Sequence, residues 1–167
     1  AFISSINAKK YNNVNLGIIA KKEVLSVLVI PNTKHKLDVE SATSNVLAKV
    51  LNIQGEVIIG DKALRYYLDS NPAIDLAKVW TDKYNLPFVF ALLCFHKDTK
   101  GYKKIEKGFL KQKVKIPQYL LNEASARTKI SNKNILTYLS YISYKLDYKA
   151  KKGLNLFYKL SAGSKSC

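Results

Sequence analysis

A chain of 167 residues, 47% of them hydrophobic, can bury the core of one ordinary domain or of two small lobes. No apolar run reaches the roughly 20 residues that a membrane helix needs, and the basic-then-apolar layout of a signal peptide is missing. A formal net charge of +16 is compatible with a nucleic acid, an anionic membrane face or an anionic small molecule as partner, and equally with codon bias alone.

The basic excess falls in residues 97–167, where lysines are spread around helices rather than gathered in a cluster. Abundant Lys, Asn, Ile and Tyr with scarce Arg read as AT-rich coding, so neither nucleic acid nor membrane is expected as a partner. Two cysteines, Cys94 and Cys167, make no disulfide framework and fit a reducing cytoplasm. No metal site is expected.

In chain order, "AFISSI" (1–6) reads as the end of a buried strand leading into a polar loop. Gly17–Ala20 and Val24–Ile30 are two β-rich runs, the second stopped by Pro31-Asn32. Their unbroken apolar character predicts strands covered on both faces. A helix follows over 38–52, with Val46, Leu47, Val50 and Leu51 on one stripe. Glu56–Ile59 is the next strand, and Asp61 opens a helix to Tyr67 or Leu68. Residues 74–85 predict another helix with Leu76, Val79, Trp80 and Lys83 on one side, and Leu86-Pro87 launches a strand over 88–95.

From residue 103 the pattern becomes purely helical. Pro117 suits the first turn of a helix to about Thr128, and Ser131 suits the N-cap of the next. Ile135, Leu139, Ile142 and Leu146 step by helical intervals, and Leu154, Phe157 and Leu160 continue in a terminal helix. The fold class is therefore α/β, with a helical C-terminal third packed back on the sheet. Strand–helix alternation implies parallel strands with ligands at their carboxyl ends.

Polar residues recur at strand ends and helix starts. Ser4 and Ser5 follow an apolar run, Ser41, Thr43, Ser44 and Asn45 lie where the 38–52 helix begins, and Asp61 follows the strand 56–59. A helix start offers unpaired N–H groups and a positive dipole end, which with added hydroxyls can hold a carboxylate or phosphate. The same residues are also preferred caps, and capping is the simpler reading at all three places. His35 and His96 are the only histidines, each beside lysine. No nucleophile elbow, phosphate-binding Gly-rich loop or metal-spaced Cys/His pair occurs. Tyr138, Tyr141, Tyr144 and Tyr148 sit at helical spacings, as on a half-buried helix face rather than a base-stacking strand.

The segments "AFISSI", "LGIIAKKEVLSVLVIP", "SATSNVLAKVL", "EVIIGDKAL", "DLAKVW" and "NLPFVFAL", followed by "KVKIPQYLLNEAS", resemble in order the chorismate dehydratase family of the futalosine route to menaquinone. That resemblance covers nearly all of the chain. It implies a cofactor-free cytoplasmic lyase with the two-lobed fold of type II periplasmic solute-binding proteins. Such an enzyme converts chorismate to 3-[(1-carboxyvinyl)oxy]benzoate and water. A non-catalytic small-carboxylate binding protein of the same fold is the alternative.

By the same resemblance, residues 1–23 belong to lobe 1, 24–95 comprise hinge strands and lobe 2, and 96–167 pack back on lobe 1. The strands 24–30 and 88–95 would be the hinge crossings. Ser4 and Ser5 would line the cleft from one lobe, and Ser41, Thr43, Ser44 and Asn45 would hold a carboxylate from the other. Asp61 is the candidate base, or else it orients its helix. The family's usual Gly after "DL" is Ala77 here, and its "TG" before "LPF" is Tyr84-Asn85. Family members begin with a further strand and helix carrying an Asn that reaches the cleft. With no Met in the chain, the expectation is an N-terminally truncated form, inactive or poorly stable.

Overall fold

The computed structural model describes residues 1–97, 99–112 and 115–163, so Cys167 lies outside the described residues. It places the strands in two sheets. The first runs β1 (Phe2–Ser4), β6 (Phe88–Phe95), β2 (Asn12–Ala20), β7 (Ile142–Lys145) in spatial order. The second runs β4 (Glu56–Ile59), β3 (Val27–Ile30), β5 (Ile74–Asp75).

Every ladder in both sheets is antiparallel, which corrects the expectation of parallel strands. The physical reason lies in the connections. A βαβ crossover gives parallel neighbours only when both strands run the same way in one sheet. Here β2 feeds β3 in the other sheet, and β3 returns through helix α2 (Ala42–Val50) to β4 as an antiparallel neighbour. One isolated parallel bridge, Lys36 with Glu56, lies outside the named strands.

The runs 17–20 and 88–95 are strand as expected, but of the run Val24–Ile30 only Val27–Ile30 is strand; β3 and β6 are buried along most of their length. "SINA" is not loop but a single helical turn, α1 (Ser5–Ala8). Helix α3 spans Gly60–Leu68 and α4 spans Leu76–Tyr84, with Leu76, Ala77 and Trp80 buried. Asn85 ends α4 in the left-handed region at φ 54°, and its N–H bonds the Thr81 carbonyl at 2.8 Å. Asparagine tolerates that conformation better than most residues.

The C-terminal third departs from a purely helical pattern. Helices α5 (Thr99–Lys111), α6 (Gln118–Thr128), α7 (Asn132–Ser140) and α8 (Tyr148–Gly163) form, and Ser131 caps α7 through a bond from Asn134 N–H at 3.2 Å. Yet α7 stops at Ser140, and Ile142 and Leu146 do not continue its face. The stretch 142–145 pairs instead with β2, in the register Leu16 with Lys145 and Ala20 with Ile142. The 3.6-residue spacing is genuine, but an open β2 edge next to the β-favouring Tyr141-Ile142-Ser143-Tyr144 competes and wins.

One hydrophobic cluster joins the two sheets. It takes Ala20 and Phe88 from the first sheet, Val27, Val29 and Val57 from the second, and Leu47, Trp80 and Phe157 from α2, α4 and α8. Trp80 and Phe157 are fully buried, with ring centroids 6.1 Å apart in an edge contact. The chain crosses between the sheets over residues 21–26 and again over 85–87.

Candidate functional site

Between the sheets lies a cavity of about 180 Å³, lined by Ile18, Val24, Ser26, Val27, Ser41, Ser44, Ile59, Gly60, Phe90, Tyr138 and Ile142. Three separate parts of the chain bring polar groups to it. Ser41 and Ser44 come from the start of α2, Ser26 from the crossing before β3, and Tyr138 from α7.

Helix α2 starts here because Ser41 is a working N-cap, accepting the Ser44 N–H at 3.2 Å. The Ser41 hydroxyl also donates to Ser44 Oγ at 2.6 Å. Capping and a place in the cavity wall are thus held together in one residue. The first-turn N–H groups of a helix have no partner within it, and its dipole makes this end favourable for a negative charge.

Across the cavity, the Ser26 hydroxyl donates to the Tyr138 hydroxyl at 3.3 Å. The Ser26 carbonyl accepts the Gly60 N–H at 2.9 Å, where Gly60 holds φ 65°. Ser26 is not among the sequence candidates, and the sequence places Tyr138 on a half-buried helix face rather than at a site. Ser26 had a signal, since it is the one polar residue inside "VLSVLVI" and it is buried. Tyr138 had none, because a half-buried helix tyrosine looks like any boundary residue.

The other sequence candidates are placed differently. Ser5 and Thr43 are buried against each other, Oγ to Oγ1 3.4 Å, and Thr43 Oγ1 accepts the Ile6 N–H at 3.2 Å. Ser4 accepts from the Asn7 amide at 3.2 Å. Asn45 braces the preceding loop, accepting Asp38 N–H at 3.0 Å and donating to Asp38 O at 2.6 Å. Asp61 is exposed in the first turn of α3, beside Gly60 but outside the cavity lining. A larger hollow of about 460 Å³ lies on the far side of α2, bordered by His35, Leu37, Asn45 and Lys49. Asn52 and Gln54 also border it, and the Asn45 amide is already engaged with Asp38.

Comparison with known proteins places this chain in a family. The sequence model described as menaquinone biosynthesis matches residues 52–163. A curated protein of Campylobacter jejuni subsp. jejuni serotype O:23/36 (strain 81-176), named chorismate dehydratase, is 48% identical over 163 residues, which span 95% of this chain and 73% of that protein. The chain belongs to the menaquinone-biosynthesis family. Its fold is also found in the crystal structure of protein AF1704 from Archaeoglobus fulgidus, with a TM-score of 0.62 at 11% identity over 99% of this chain and 79% of that one.

In this member of the menaquinone-biosynthesis family, a buried carboxylate stands behind the cavity wall. Asp75 caps α4 through Oδ1, which accepts Lys78 N–H at 3.0 Å. Its Oδ2 accepts the N–H of Val24 at 2.9 Å and of Leu25 at 2.7 Å. Elsewhere in the fold, burial raises the pKa of one thiol and two phenols. The Cys94 thiol and the Tyr144 phenol are pushed up, and the Tyr158 phenol is pushed up to about 12. No three His, Cys, Asp or Glu side chains gather as metal ligands among the described residues, and none of their helices is long and apolar enough to cross a membrane.

Proposed function

We propose that the protein is a chorismate dehydratase, a lyase that converts chorismate to 3-[(1-carboxyvinyl)oxy]benzoate and water in the futalosine route to menaquinone. The observation that carries this reading is the 48% identity to the Campylobacter chorismate dehydratase across 95% of the chain. The cavity is chemically suited to it. Chorismate brings two carboxylates and a hydroxyl. The open start of α2, with Ser41 and Ser44, suits a carboxylate. The Ser26 and Tyr138 hydroxyls suit the remaining oxygens.

The two sheets, joined at 21–26 and 85–87, support a two-lobed architecture of the type II periplasmic-binding-protein kind. In that arrangement residues 1–23 and 96–167 build one lobe and 24–95 supply the hinge strands and the other. A cavity of about 180 Å³ is below the roughly 300 Å³ at which small-molecule pockets usually begin, so the lobes part to admit the substrate.

The reaction takes a proton from the ring carbon bearing the enol ether. It expels the neighbouring hydroxyl as water, and aromatisation drives it forward. Donors fixed in a closed cleft stabilise the negative charge that develops. Ser5, Thr43 and Asn45 brace the start of α2 through the bonds described above, and Ser4 precedes them at the end of β1. Asp61 serves the α3 dipole rather than the proton transfer.

The test is chorismate consumption by the full-length protein, with product identified by mass and ultraviolet absorbance. Formation of the substituted benzoate is expected. Binding of chorismate without turnover would replace the enzyme reading with a carboxylate-binding protein, and neither binding nor turnover would end both.

A further inference from the structure

We propose that Asp75 is a positioning residue, which clamps the chain crossing at Val24-Leu25 and thereby aims Ser26 into the cleft; this rests on the dehydratase reading above. Three observations converge on it. Asp75 is 9% exposed, yet both carboxylate oxygens are used. Oδ1 serves its own helix, while Oδ2 reaches 50 residues back along the chain to two successive N–H groups, at 2.9 and 2.7 Å. Bonds of that length to an ionised acceptor are of the strong, charge-assisted kind.

The second observation is the conformation that the clamp holds. Leu25 sits at φ 60°, a left-handed setting that costs a branched, bulky residue on the order of 1–3 kcal/mol and persists only where surroundings enforce it. Its side chain is held by Leu64 and Ile130, and its N–H by Asp75. The third is what comes next. Ser26 follows Leu25 directly, lines the cavity, and bonds Tyr138. A left-handed residue turns the chain sharply, so the Leu25 setting decides whether the Ser26 hydroxyl faces the cleft.

A capping role alone accounts for Oδ1 and leaves Oδ2 unexplained. A serine at 75 keeps the cap, since serine is as good an N-cap as aspartate, but it is too short to reach Val24 and Leu25 as well. Asp75→Ser therefore separates the two roles, and Ser26→Ala removes the hydroxyl that the clamp delivers.

The experiment measures steady-state kinetics with chorismate for the full-length wild type, Asp75→Ser, Ser26→Ala and the double variant. Melting temperatures are measured beside them. Each single variant is expected to raise KM about tenfold, the size of one lost hydrogen bond to a charged group. The double variant should do no worse than the poorer single, because both act through one hydroxyl. A KM unchanged in Asp75→Ser, or single effects that multiply in the double variant, overturns the proposal.

Should Asp75→Ser fail to fold, amide exchange on the wild type decides. The Val24 and Leu25 amides should exchange as slowly as those of β3. Exchange as fast as at the exposed Lys22 sinks the clamp. A wild type that does not turn over chorismate defeats the functional reading alone, and the exchange result still judges the clamp.

Discussion

The Tyr158 hydroxyl donates to the main-chain oxygen of Ser5 at 2.8 Å, tying the last helix to the first turn of the chain. Lys9 closes the joint from outside, with Nζ 4.3 Å from the Tyr158 ring centroid. Because burial pushes the Tyr158 phenol up to about 12, the folded protein keeps its proton where an unfolded tyrosine, with a pKa near 10, has lost it. The stability this gives is fully present below about pH 10 and is lost as pH rises toward 12. Tyr158→Phe is expected to cost about 1 kcal/mol at neutral pH by leaving the Ser5 carbonyl without its donor. The gap in melting temperature between wild type and variant should then close between pH 10 and 12. A constant gap would mean that the phenol ionises normally.

Gly153 gives a second prediction, from space rather than charge. A Cβ built there would lie 2.3 Å from the Pro87 carbonyl oxygen and 3.5 Å from Leu86 Cβ. The obstacle is main chain, in the crossing that launches β6, and cannot rotate aside. In an exposed helix Gly→Ala stabilises by up to about 1 kcal/mol. Here the sign reverses, and Gly153→Ala should destabilise by about 1–3 kcal/mol, the cost of overpacking. Chemical denaturation of the purified variant reads this directly. A gain in stability would show that α8 does not press on the crossing.

Ser41 has two duties, and one substitution reads both. Ser41→Ala removes the cap on the Ser44 N–H, which should cost about 1 kcal/mol of stability. It also strips one donor from the cavity wall and frees the Ser44 hydroxyl. KM for chorismate should rise by about tenfold, the worth of ~1.4 kcal/mol. Ser41→Asp restores the cap yet puts a like charge where the substrate carboxylate belongs, so stability should recover while KM rises further. Recovery of both would remove the carboxylate from this end of α2.

How far the sequence carried is best judged residue by residue. The strands at 27–30, 56–59 and 88–95 were legible because burial on both faces leaves no alternation to confuse. The Ser131 cap and the α2 stripe were legible because they are local. Strand direction was not, since it depends on which sheet receives each strand. Strand β7 was hidden because Ile135, Leu139, Ile142 and Leu146 keep helical spacing across a change of element. At the site, "SATSN" marked the start of α2 correctly. It could not show that Thr43 turns to Ser5 and Asn45 to Asp38, leaving Ser41 and Ser44 at the cavity. Ser26 and Asp75 act through contacts 112 and 51 residues away, which no local pattern records.

Asp61 is the sharpest point at which sequence and geometry can be made to disagree. It is an acid at the end of a strand, which suits a base that takes a proton from carbon. In the fold it is exposed, in the first turn of α3, and Gly60 rather than Asp61 forms the cavity wall. A carboxylate there gains about 0.3–1 kcal/mol from the positive end of the helix and needs no other role. A general base must come within hydrogen-bond reach of the proton it removes, and contributes about a hundredfold or more to rate. Asp61→Asn keeps the size and loses the charge. The expected outcome is a kcat within a few-fold of wild type, a melting temperature lowered slightly at low ionic strength, and a difference that shrinks as salt is added. A fall in kcat of a hundredfold with KM unchanged would make Asp61 the base, and would require α3 to swing its first turn into the cleft when the substrate binds.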